Sequence, residues 1–207
     1  QGTPYFNEFG GELEFKIMSK LRYDCATMGN HDFDNGLEGF DKMLPHANFP
    51  FVTANYDFSD TILEGKTKPY QVIYKKGLKV GVFGVGVKLE GLVSKSNYGN
   101  TKYLDPIERA NHFADHLKNK EKCNLVICLS HLGYQYKSTK VCDQDLAKQT
   151  SVNLNTINFF IQGAIAAANN CADKEAMRLY TQADKMLNHL DKCGCGCSGT
   201  NYLVNFK

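Results

Sequence analysis

Strand-length apolar runs alternate with apolar stripes at helical spacing through the first three quarters of this chain, and each run stops at Gly, Pro or a polar cluster. A chain patterned this way buries both kinds of segment by laying helices on sheet faces, so an α/β fold is expected. Glu12–Leu21 carries Leu13, Ile17 and Leu21 at helical spacing, and Leu37–Leu44 is a short helix that breaks at Pro45. Asp24–Met28 and Phe49–Ala54 read as strands, the second interrupted by Pro50. Tyr70–Tyr74 and Leu78–Val85 flank Lys76-Gly77, a turn signal, and predict a β-hairpin. Asp105-Pro106 opens a helix: Asp accepts from orphan N–H groups, and Pro suits the first turn. Its buried stripe is Ile107, Ala110, Phe113, Ala114 and Leu117. Asn124–Leu129 is an apolar strand that ends in Ser130-His131-Leu132-Gly133, and Gln144–Gln149 begins another helix.

The pattern then changes, which divides the chain into residues 1–150 and 151–207. Leu154, Ile157, Ile161, Ala164, Ile165 and Ala168 follow the helical period. After a turn with Asp173 as its cap, Ala176, Leu179, Tyr180, Ala183, Met186, Leu187 and Leu190 form a second stripe, giving an αα-hairpin. This tail offers a surface for packing or for a protein partner. Eight cysteines in 207 residues do not make a disulfide scaffold. Cys25 and Cys128 lie in strand-like runs and are expected to be small buried hydrophobes. Cys193, Cys195 and Cys197, with His189 one turn upstream, fit either a flexible oxidisable cap or a thiolate site for Zn or Cu(I).

Lys and Arg number 24 against 22 Asp and Glu, so there is no broad basic field and a nucleic acid polymer is not the expected partner. No run approaches the ~18 apolar residues of a membrane helix. Gly81, Gly84 and Gly86 lack the spacing of a phosphate-cradling loop and read as strand glycines. His112 and His116 share a helix face without a carboxylate motif and read as solvated.

The chemistry is concentrated in Gly29-Asn30-His31-Asp32-Phe33-Asp34-Asn35-Gly36, which follows a short apolar strand. Such a turn projects an amide oxygen, an imidazole and a carboxylate into one site. An Asn oxygen suits a divalent cation. The neighbouring His sits beside that metal without ligating it, and a carboxylate three residues on accepts its other N–H. That arrangement fits a general acid or charge stabiliser beside a phosphate.

This segment resembles the signature of the 5'-nucleotidase family of calcineurin-like metallophosphatases, with Asp32 where the family usually has Glu. Gln1-Gly-Thr-Pro-Tyr-Phe6, Gly77-Leu-Lys-Val-Gly-Val-Phe-Gly-Val85 and Leu129-Ser-His-Leu-Gly133 resemble further stretches of that family, in its order, over about residues 1–150. The resemblance implies a partial four-layer α/β/β/α sandwich followed by the αα-hairpin. It implies hydrolysis of a nucleotide or other phosphate monoester with two divalent metal ions, Mn, Zn or similar. Asn30 and His131 would be metal ligands, His31 would stabilise the transition state or protonate the leaving alkoxide, and Asp34 would orient His31. Such enzymes are commonly periplasmic or secreted. The family's Asp-x-His motif and bridging Asp would precede Gln1, and its Gly-His-x-His motif gives way to the helical hairpin. The expectation is a family member that is catalytically incomplete by itself.

Overall fold

The computed structural model describes residues 4–75 and 77–150 of the chain. In order these form α1 (Pro4–Phe9), α2 (Glu12–Lys20), a 3-10 turn (Asn30–Phe33), α3 (Gly36–Met43), a second 3-10 turn (Leu44–His46), β1 (Tyr56–Asp57), β2 (Tyr70–Lys75), β3 (Leu78–Gly86), α4 (Lys95–Tyr98), β4 (Lys102–Tyr103), α5 (Pro106–Asp115), a π turn (His116–Lys120), β5 (Leu125–His131) and α6 (Asp143–Gln149). The class is α/β, as the alternation requires. The expected helical hairpin and the cysteines at 193, 195 and 197 lie outside the described residues.

β3 is the centre of a three-stranded sheet, ordered β2-β3-β5. β2 and β3 are the expected hairpin, paired antiparallel from Tyr70↔Phe83 to Lys75↔Leu78. Gly77 takes the left-handed φ of 82° that a tight turn demands. β5 joins β3 in parallel, from Val80↔Leu125 to Gly86↔His131, and a parallel neighbour needs a crossover, which carries α5. Asp105 caps α5 as expected, accepting from the backbone N–H groups of Ile107 and Glu108 at 2.9 and 2.8 Å. Ala110, Phe113, Ala114 and Leu117 are buried against Phe83, Val85 and Cys128. Burying a side chain such as Leu117 contributes about 1.5–3 kcal/mol.

The two faces of β3 alternate with period two. Gly81 faces Leu117 of the π turn and Phe83 and Val85 face α5, while Gly84 and Gly86 face the segment around Thr27, Val52 and Tyr56. A Cβ on Gly84 would lie 2.3 Å from the Val52 carbonyl oxygen, so only glycine admits that backbone. These are strand glycines, as the spacing indicated. β2 begins at Tyr70, the partner of Phe83, and beyond that pair residues 54 and 55 take over along β3. Ala54 N–H donates to Gly84 O at 2.7 Å. The buried Asn55 amide bonds both backbone groups of Gly86 at 2.8 Å.

Three expectations need correction. The expected strands Asp24–Met28 and Phe49–Ala54 form only isolated bridges, Ala26↔Phe51 and Val52↔Lys68, because Pro50 cannot donate and residues 51–54 bond in turn to Ala26, Lys68 and Gly84. α2 does not bury Leu13, Ile17 and Leu21. Ile17 and Leu21 are exposed, and Phe15 turns inward instead, 5.2 Å from Phe51 and 5.8 Å from Phe40. The large aromatic gains more from the second core, built on Phe33, Phe40, Phe49, Phe51 and Tyr56, than the aliphatic stripe does. Cys128 is buried as expected, but Cys25 is only half-buried. Burial still raises the Cys25 thiol to about 11, so it is a poor nucleophile at neutral pH.

Candidate active site

The site lies where the extended segment before Gly29 and strand β5 both end, the position at which parallel α/β units present ligand groups. The 3-10 turn Asn30–Phe33 is anchored by Phe33, which is fully buried and packs 5.6 Å from Tyr56 and 6.4 Å from Phe58. With Phe33 pinned inward, His31 points outward and its side chain is 72% exposed. The turn closes on itself: Gly29 N–H donates to Asp32 Oδ2 at 2.7 Å, and Asp32 N–H donates to Gly29 O at 3.1 Å. That reciprocal pair gives Asp32 a structural task. Burial raises its carboxyl above the usual range, and the Gly29 bond and the charge of His131 oppose that rise.

His31 Nδ1 lies 3.0 Å from Asp34 Oδ2. The carboxylate therefore fixes one ring nitrogen and leaves Nε2 toward solvent. Asn97, on α4, donates from Nδ2 to the Asp34 carbonyl at 2.9 Å and clamps the backbone of that turn. Asn30 and His131, 101 residues apart in sequence, meet here: His131 Nε2 is 3.1 Å from Asn30 Oδ1. Gly29 makes this possible, because a Cβ there would sit 2.7 Å from His131 Nε2. Ser130, just before His131, donates to Asp143 at the start of α6 and ties the end of β5 to that helix. All four site residues expected from the sequence therefore converge as two pairs. Sequence reading missed Asn97, Asp143 and the Asp32–Gly29 bond. Only the last had a local signal, a carboxylate three residues after the turn's first residue. A cavity of about 280 Å³ lined by Thr53, Tyr56, Asp57, Glu64 and Arg109 contains none of these residues.

The chain is 37% identical over 137 residues to a 5'-nucleotidase of Vibrio cholerae, covering 64% of this chain and 24% of that one. It is 37% identical over 138 residues to the snake venom 5'-nucleotidase of Crotalus adamanteus, covering 65% of this chain and 23% of the relative. The crystal structure of a 5'-nucleotidase precursor from Thermus thermophilus superposes with a TM-score of 0.60 at 36% identity, over 65% of this chain and 26% of that one. The chain carries a segment of the 5'-nucleotidase family of calcineurin-like metallophosphatases. It spans about a quarter of the length of these relatives. No protein-family model matches it. No described helix is long and apolar enough to cross a membrane.

The family uses divalent metals, so the donor set has to be tested against one. Two donors at right angles on one six-coordinate ion, each at about 2.1–2.2 Å, lie about 3.0 Å apart. The Asn30–His131 separation of 3.1 Å matches that edge. An amide oxygen and an imidazole also suit a borderline ion such as Zn or Mn. Neither would bring negative charge to an ion, however, and among the described residues no group of three or more His, Cys, Asp or Glu is placed to hold a metal. The described residues fit one edge of one ion and do not amount to a two-metal centre.

Proposed function

We propose that this site hydrolyses phosphate monoesters, with a nucleotide as the substrate class, and that His31 handles the proton. The observation that supports this reading is the convergence of His31–Asp34 and Asn30–His131 at one strand end. With Nδ1 held by Asp34, the outward Nε2 of His31 can donate to a leaving alkoxide or to a charged phosphoryl oxygen. Asp34 accepts from Nδ1–H and so holds the ring with Nε2 outward, the nitrogen that has a proton to give when the imidazole is in its charged form. Both side chains are well exposed, so the pair itself adds little to stability. Asn30 and His131 would hold a divalent ion of the Mn or Zn type, which would supply charge neutralisation and an activated water. The remaining ligands, carboxylates above all, would come from outside the described residues.

The test is hydrolysis of AMP by the full chain in Mn²⁺ or Zn²⁺. Turnover is expected to fall about a hundredfold in His31→Ala. A second reading, a non-catalytic phosphoesterase-like unit with residues 151–207 serving a protein partner, is favoured by the two-donor neutral metal edge. It holds if no metal-dependent turnover appears, or if the turnover ignores His31.

A further inference from the structure

Two ions of opposite sign line one cavity and are not paired with each other. The cavity of about 280 Å³ away from the strand-end site is lined by Arg109 of α5 and by Glu64 of the segment that follows β1. Neither side chain is in an ion pair among the described residues. Arg109 is nonetheless held in place. Its Nε donates to the carbonyl of Ala54, another lining residue, at 3.0 Å, and its guanidinium carbon lies 4.8 Å from the centre of the Phe113 ring. One edge and one face of the guanidinium are thereby taken, and its two terminal nitrogens stay uncommitted among the described residues. Glu64 accepts one long bond, from the Asp60 N–H to Oε2 at 3.4 Å, and Oε1 accepts none among the described residues. The other carboxylate of the lining, Asp57, is occupied: Oδ1 accepts from the Ser59 N–H at 2.9 Å, and Oδ2 lies 3.5 Å from the Lys102 ammonium. The Thr67 hydroxyl accepts from Thr53 at 3.1 Å, so its own O–H is left to donate. Phe58 and Leu63, both buried, give the cavity apolar wall.

We propose that this cavity binds a small zwitterion, a free α-amino acid with an apolar side chain. Its carboxylate pairs with Arg109 and accepts from Thr67, its ammonium pairs with Glu64, and its side chain lies against Phe58 and Leu63. The two unpaired ions select this class. A plain anion gains from Arg109 but is opposed by Glu64, and a plain cation meets the reverse; only a ligand that carries both signs satisfies both. The volume sets an upper bound on size, since it falls just below the about 300 Å³ at which pockets for drug-sized ligands begin. None of Asn30, His31, Asp34 and His131 lines this cavity, so the proposal does not depend on the phosphoester reading.

The experiment is an NMR titration of the full chain with three probes of matched shape: L-leucine, 4-methylpentanoate, which lacks the ammonium, and 3-methylbutylamine, which lacks the carboxylate. L-Leucine is expected to saturate the site and to bind about three- to tenfold tighter than either single-charge probe. Arg109→Gln is expected to weaken L-leucine about tenfold, by removing a charge-assisted hydrogen bond. Glu64→Gln is expected to weaken L-leucine about threefold and to leave 4-methylpentanoate no weaker, because only the ammonium uses that carboxylate. The Glu64 side chain is exposed, so this second variant decides the question if Arg109→Gln does not fold. Absence of saturable L-leucine binding overturns the proposal. So does 4-methylpentanoate binding as tightly as L-leucine, which would make the cavity a carboxylate site, and so does L-leucine affinity that is unchanged in Glu64→Gln.

Discussion

A histidine stands beside a carboxylate at each end of this sheet, and the two are wired differently. Near the start of β3 and β5, His116 Nε2 lies 3.2 Å from the Tyr70 hydroxyl, which itself donates to Glu121 at 3.1 Å. Glu121 is already paired with Lys79 at 3.2 Å, and Lys79 and Asn124 bond each other through the backbone and the Asn124 side chain. That network closes on itself, and the His116 side chain is 33% exposed. At the far end of β5, His31 is 72% exposed, held by one carboxylate, with its other nitrogen outward. The first cluster spends its hydrogen-bonding capacity on joining the π turn to the hairpin. The second keeps capacity in reserve for a ligand. Residue type alone does not separate them; what remains uncommitted does.

The sharpest way to break the comparison is to exchange the effects of the two histidines. His31→Ala is expected to cut metal-dependent AMP turnover about a hundredfold with no change in melting temperature, while His116→Ala leaves turnover intact; equal losses in kinetic assays would erase the distinction. Next in size is Gly29→Ala. Its backbone, at φ −100°, tolerates a side chain, so the effect is the collision with His131. About 1–3 kcal/mol of stability should be lost in urea unfolding, together with a displaced His131 resonance. Tyr70→Phe should cost about 1 kcal/mol by removing the hydroxyl shared by His116 and Glu121, with no change in nucleotide binding.

The smallest effect is a pH dependence. Hydrogen bonds from Lys79 and Tyr70 hold the Glu121 carboxyl below its ordinary 4.5. A carboxylate depressed in the folded state stabilises it above the unfolded value, and that contribution fades as pH falls through the folded value. Stability of the wild type should therefore drop on acidification below about pH 4.5. Glu121→Gln should flatten that part of the curve in thermal unfolding at a series of pH values; an unchanged slope would show that the network carries no such coupling.

Features set by near neighbours along the chain are legible in the sequence alone. The β2–β3 hairpin follows from Lys76-Gly77, the cap of α5 from Asp105-Pro106, and the His31–Asp34 pair from their spacing. Features set by competition between faces are not. Leu13, Ile17 and Leu21 are as periodic as any buried stripe, but Phe15 displaces them because an aromatic core lies on its side. Asn30 and His131 are paired through the family resemblance, since no local rule connects positions so far apart. Asn97 on the Asp34 carbonyl has no local signal at all, because it acts from 63 residues away.

The two pairs at the candidate site also differ in when they can exist. His31 and Asp34 are one turn apart, and closing so short a loop costs little beyond forming the turn. Asn30 must wait for His131, 101 residues later, which at ribosomal rates is a delay of roughly 5–20 s. The proton-handling pair needs only its own turn and the partners of Phe33, Tyr56 and Phe58, so it can form before the prospective metal edge. Formation of the Asn30–His131 contact thus marks the moment at which β5 has docked along β3, and a probe of that contact would time the closure of the sheet.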